Sequence, residues 1–350
     1  MIKNIKSKIL SFVMAICLLM TSTAALADDE ISLTMSEAYT MAVESSKNLQ
    51  ASQINVDRTK NSMDSTMDKY QHDETTELGY MQSQHNYDNS KKTYSDAVLQ
   101  MQSSVYGAYI NVMLAEKKLE LAKASEKLAY SNLNLASQKN LCGMLSQSDY
   151  DTQKNTYQTA QTAVDTAETN LEAAYLTFNS LVGLKPDDRP ILTDEITFTE
   201  FKTDSIAADM DRAKDTSLTL WQTVDSIALI QEQMNDSQNI YDYDDLLYQK
   251  HATQIQVNAI ETSVEDSVRS LYNTIKTDEQ NYYSALEKLT SAQQDFTVGS
   301  INYKAGMCTQ NTLDNLNYVQ LSAEVAIYGT ILNHALDVAK YQVLQGNQIF

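Results

Sequence analysis

Residues 98–140 carry an apolar seam spaced alternately three and four residues apart: Val98, Met101, Val105, Ala108, Val112, Ala115, Leu119, Ala122, Ala129, Leu133 and Ala136, with Glu126 as the one interruption. A stripe repeating every seven residues can be hidden only by rods standing side by side, so this segment reads as a coiled-coil helix. At 1.5 Å per residue it makes a rod roughly 65 Å long. The stretch 160–181 repeats the pattern through Ala160, Val164, Ala167, Leu171, Ala174, Phe178 and Leu181. Between the two seams lies Leu141-Cys142-Gly143-Met144-Leu145-Ser146. Gly143 supplies the left-handed conformation that ends a helix, and Ser146 or Ser148 caps the next one. The unit is a long antiparallel helical hairpin.

The hairpin returns. Shifted by 163 residues, 98–183 lies over 261–346 without a gap, placing Val105 on Val268, Tyr109 on Tyr272, Glu116 on Glu279, Gly143-Met144 on Gly306-Met307, Ser146 on Thr309 and Gly183 on Gly346. The seam carries over as Val268, Leu271, Ile275, Tyr282, Ala285, Leu289, Ala292 and Phe296. A weaker match joins Ala42-Val43-Glu44-Ser45-Ser46 to Ala213-Lys214-Asp215-Thr216-Ser217, with Leu49 facing Leu220. The expected organisation is two tandem helical repeats, 28–183 and 205–350, joined by a linker at 184–204 that holds Pro186, Pro190 and one short strand, Glu195-Ile196-Thr197-Phe198. Each repeat opens with a leading helix, 34–72 or 205–240. A polar stretch, 72–76 or 241–245, then connects it to the long rod or continues the helix.

Composition agrees with rods. Only 8 Gly and 2 Pro occur in 350 residues, too few for the turns of a many-stranded β fold. The formal net charge of −20 and only four arginines exclude nucleic acid as a main partner, because phosphate recognition needs clustered cations. Residues 1–27 read as an export signal: Lys3, Lys6 and Lys8, an apolar run Ile9–Met20, and a cleavage site at Ala25-Leu26-Ala27. Cys142 and Cys308 then remain, which is no disulfide framework; they pair only if their loops meet in space.

Three motifs resemble those of the TolC family of outer-membrane efflux proteins. Leu33-Thr34-Met35-Ser36-Glu37-Ala38, with Ala42 and Leu49, is similar to the family's opening segment. Gly143-x-x-Ser146-x-x-Asp149-Tyr150 and Gly306-x-x-Thr309 are similar to its hairpin turns, and Leu181-Val182-Gly183 followed by Pro186 to the end of its first repeat. The resemblance implies an all-α, elongated protomer of a TolC-like α-barrel, a homotrimer enclosing a helical tunnel. It also implies hairpin tips (Gly143, Met144, Ser146, Gly306, Met307, Thr309) that meet a periplasmic adaptor attached to an inner-membrane pump. Asp149, Asp151 and Asp314 would then be candidates for an acidic gate, although carboxylates in the first turn of a helix are also favoured by its dipole alone.

The chain departs from that family in two respects. The intervals 64–97 and 235–265, where the family places barrel strands, lack the ten-residue alternation a membrane strand needs. Lys47 and Leu218 stand where it has a kinking proline. No enzyme motif occurs: His72, His85, His251 and His334 form no metal spacing, and there is no phosphate loop or nucleophile elbow. The expected function is a conduit for export of small molecules or proteins across a cell envelope, without cofactor. The alternative is an exported coiled-coil scaffold or surface protein using the same hairpins.

Overall fold

The computed structural model describes residues 31–350, so the export signal expected at 1–27 lies outside the described residues. The elements in order are β1 (Ser32–Leu33), α1 (Met35–Ser45), α2 (Lys47–Gln71), α3 (Glu77–Leu141), α4 (Gln147–Val182), β2 (Ile191–Leu192), α5 (Ile206–Thr216), α6 (Leu218–Asp236), α7 (Ile240–Lys304) and α8 (Gln310–Leu344). The described residues are all-α apart from one parallel pair of two-residue strands, Ser32 opposite Ile191 and Leu33 opposite Leu192.

The duplication is written into the helix ends. α3 and α7 are each 65 residues long, about 97 Å at the usual rise, and both their starts and their ends differ by 163. Each long rod passes two shorter partners in succession. The first part of α3 packs on α2, with Thr59 Oγ1 2.7 Å from Ser90 Oγ and Tyr70 stacked on Tyr80. The rest packs on α4, where the ring of Tyr109 meets Phe178 edge-on and the Tyr175 hydroxyl donates to Glu116 at 2.6 Å. Across the repeats, α3 also packs on α6 and α8. Val105, Ala108, Val112, Ala129 and Ala136 of the heptad seam are buried. The main core gathers where α1, α3, α4 and α8 meet, around Ala38, Ala42, Val105, Tyr109, Phe178 and Leu332.

Three sequence expectations need correction. Each leading helix is broken rather than continuous over 34–72 or 205–240: Ser46 and Ser217 leave the helical conformation (ψ 104° and 111°), and each side chain caps the next helix by accepting from Leu49 N or Leu220 N. The kink therefore persists without proline, because a serine hydroxyl satisfies one of the orphaned amides at the new start. The polar stretch 72–76 is a true break, with Asp73 at φ 58°. The stretch 241–245 continues the helix inside α7, as the second of the two alternatives had it; the break that neither alternative placed falls at Ser237–Asn239, where Asn239 caps Tyr241 N. Glu195–Phe198 is not a strand. It is an irregular strap whose Phe198 ring stacks on Tyr282 at 3.7 Å. Tyr109 of α3 is fully enclosed.

Candidate functional site

Both hairpin turns use the same chemistry. In the first, Gly143 takes φ 71°, its N–H bonds Asn140 O at 2.9 Å, and Met144 N–H reaches back to Lys139 O at 2.8 Å. In the second, Gly306 takes φ 70°, with Gly306 N–H on Tyr303 O at 2.9 Å and Met307 N–H on Asn302 O at 2.8 Å. That pair of bonds closes the last turn and satisfies carbonyls left open by the helix end. A Cβ at either glycine would meet nothing within 4 Å, so backbone conformation alone demands glycine there.

The next helix starts at once. Ser146 accepts from Asp149 N at 3.1 Å and donates to the Asp149 carboxylate at 2.7 Å; Thr309 accepts from Thr312 N at 3.2 Å. Asp151 and Asp314 are true repeat equivalents, held respectively by Gln147 Nε2 at 3.0 Å and Gln310 Nε2 at 2.7 Å. Asp149 has no acidic counterpart, since the second repeat carries Thr312 in its place. Asp149 is therefore engaged as a cap partner, while Asp151 and Asp314 form a matched pair.

The two tips share one end of the molecule. Gly107 lies against Leu336 and Gly329 against Leu114, so α3 and α8 run antiparallel. The end of α3 and the start of α8 then point the same way. The tips are apolar at their apex: Met144 is 71% and Met307 78% exposed. Sequence reasoning missed Leu141, which is 84% exposed, because it was read only as part of the turn between the two seams. Its position off the three-four spacing was the available signal. Cys142 and Cys308 are both free thiols at these tips, and Cys308 Sγ lies 3.5 Å from Gly299 O.

Above the tips, the small seam residues leave a groove along each hairpin. The first, about 640 Å³, is lined by Ala115, Ala122, Thr159, Ala163 and Ala167; the second, about 560 Å³, by Ala285, Ala292, Ser322, Ala326 and Thr330. Four of these positions match in the 163-residue register. No group of three or more His, Cys, Asp or Glu side chains converges for a metal among the described residues. Three of the four histidines make contacts within the fold. His72 Nδ1 contacts Asp68 O at 2.7 Å, and His85 pairs with Asp225 across the repeats. His334, 3% exposed, lies 3.7 Å from Glu279; burial holds the imidazoles of both His85 and His334 below their ordinary pKa.

No protein-family model and no curated protein matches the sequence. Solved structures do match the fold. The Campylobacter jejuni CmeC outer membrane channel superposes with a TM-score of 0.67 at 11% identity over 89% of this chain and 85% of its own. The Neisseria gonorrhoeae MtrE outer membrane channel, in its open state, gives 0.66 at 13% over 93% and 94%. The Vibrio cholerae outer membrane protein VceC gives 0.62 at 11% over 89% and 96%. The fold implied by the TolC-family motifs is thus the fold this chain has.

Proposed function

We propose that this protein is the wall-forming protomer of an efflux or secretion conduit in a bacterial cell envelope. Repeats 28–183 and 205–350, joined through 184–204, each supply one hairpin of the wall. Three copies, as the family resemblance implies, stand around an axis and enclose a water-filled tunnel. No bond is broken; an inner-membrane pump supplies the energy through a periplasmic adaptor. The adaptor meets the tips formed by Gly143, Met144, Ser146, Gly306, Met307 and Thr309, and Asp149, Asp151 and Asp314 line the entrance. A chain carrying a net charge of −20 favours cations in that bore and disfavours anions.

One observation carries this reading. The four lower rods lie in the order α4, α3, α8, α7, which leaves α4 and α7 as open edges. The internal contacts Gly107–Leu336 and Leu114–Gly329 bring α3 and α8 close together. Carried over by 163 residues, they pair Ser270 with Ala173, and Thr277 with Thr166, between α7 of one copy and α4 of the next. All four residues are small and exposed in the single chain. Repeating the same junction therefore covers both edges, and it closes into a ring when the rotation per copy divides a full turn.

Gel filtration with light scattering tests the assembly, and the expected result is a discrete oligomer. A strict monomer at high concentration, with or without the adaptor, overturns it. Replacing both Met144 and Met307 by Asp should leave the oligomer intact and abolish adaptor recovery in a pull-down. Unchanged recovery removes the tips as the docking surface. The helical intervals 64–97 and 235–265 favour, as a second reading, an exported scaffold. That reading predicts the same oligomer without passage of solute through it.

A further inference from the structure

The regions where related channels would place membrane strands are helical here, and their surface carries its own information. Beyond the kinks at Ser46 and Ser217 the helices lie in the order α2, α3, α6, α7, each antiparallel to the next. α3 and α6 make the junction between repeats in this layer. His85 pairs with Asp225, Gln222 Nε2 donates to Asn89 at 2.7 Å, and the Trp221 ring stacks on His85. α2 and α7 are its open edges.

Two repeat registers apply to these helices: 163 residues relate α3 to α7, and 171 relate α2 to α6, as the capping serines Ser46 and Ser217 establish. Carrying the internal junction to the open edges with these offsets gives definite partners. The His85–Asp225 contact becomes Tyr248 against Ile54. Asn89–Gln222 becomes Ala252 against Ala51, both exposed in the single chain. One turn further out, Asp244 of α7 comes level with Arg58 of α2. Tyr248 is 72% and Ile54 67% exposed, so two large apolar side chains left bare by the single chain fall opposite one another. The hydrogen-bonded His–Asp pair of the internal junction is replaced by an apolar pair, the amide pair by two alanines that permit close approach, and the flanking charges are opposite in sign. The antiparallel alternation α2, α3, α6, α7 also continues unbroken into α2 of a second copy.

We infer that the distal helices close a second, all-helical ring by packing the α7 edge of one copy, through Tyr248, onto the α2 edge of the next, through Ile54. The partner is another copy of this chain, joined head to tail. This inference rests on the conduit reading for the presence of an assembly, but it assigns a contact that the lower rods alone do not require.

The test is site-directed cross-linking of the full chain in a C142S/C308S background. The I54C/Y248C variant, mildly oxidised, should give a covalent ladder ending at the number of copies found by light scattering. Y241C in place of Y248C moves the thiol by seven residues, about 10 Å along the helix, and should give none. Both target positions are exposed, so the single chain tolerates the changes. As an independent readout, R58E should weaken the assembly at least several-fold, and R58E/D244R should restore it. An intact oligomer with no 54–248 cross-link overturns the distal ring and leaves the conduit reading standing. A cross-link formed by I54C alone signals a two-fold contact and also overturns it. A monomer at all concentrations removes both readings.

Discussion

Tyr109 is wholly enclosed, yet its hydroxyl is fully used: it donates to Leu33 O at 3.0 Å and accepts from Asp194 N at 3.1 Å. It thereby fastens the opening strand and the linker to α3. Tyr109→Phe keeps the ring and leaves the Asp194 amide without its partner, which costs about 1–2 kcal/mol; urea unfolding at pH 7 should read that loss. Burial raises the Tyr109 pKa to about 12, above the value of about 10 in the unfolded chain. Folding therefore favours the neutral phenol. Its contribution is fully present below pH 10 and fades as pH rises towards 12. Burial also raises Tyr175 and Tyr341, which share hydrogen bonds with Glu116 and Asp209. Wild type should lose urea resistance steeply above about pH 10, and the Phe variant less steeply. The repeat register singled out Tyr109, which falls on Tyr272, but not its depth, which depends on Leu33 and Asp194 arriving from 76 and 85 residues away.

At the scale of helices, the kinks are the informative feature. Ser46 sits at φ −69°, ψ 104°, and its hydroxyl caps Leu49 N at 3.2 Å. Ser46→Ala should cost about 1 kcal/mol in thermal or urea unfolding, the usual loss for a helix cap. Lys47 occupies the first turn of α2, where an amide has no helical acceptor, and Ser46 already has the extended backbone a following proline prefers. Lys47→Pro should therefore be neutral, or stabilising by up to about 1 kcal/mol. A melting point lowered by several degrees would refute that geometry. The long rods and their glycine turns were legible because a seven-residue period and a left-handed stop are strong local signals. The kinks were not, because serine caps many helix starts and occurs in many other places. The break before α7 was misplaced for a related reason: tyrosines and aspartates look like a loop, while the actual stop is the single side chain of Asn239.

Over the whole molecule, the fold was legible from the duplication, since two copies of a thin unit constrain each other twice. The charge of −20 makes its own prediction for the assembly. Like-charged copies repel over distances that salt screens, the screening length falling from about 30 Å at 0.01 M to about 8 Å at 0.15 M. Light scattering should find the oligomer more populated at the higher salt. An assembly strengthened by dilution of salt would mean that attractive ion pairs dominate the junctions.

The level of the kink has a mechanical consequence. At Gly183 a Cβ would fall 2.6 Å from that of Ser45, and at Gly346 it would fall 2.5 Å from Cγ2 of Thr216, so in each repeat the short helices from both directions stop at one height. Among the described residues only α3 and α7 run through it unbroken. A tilt imposed at one extremity then has a single stiff strut per repeat along which to reach the other, flanked by neighbours already jointed at the fulcrum.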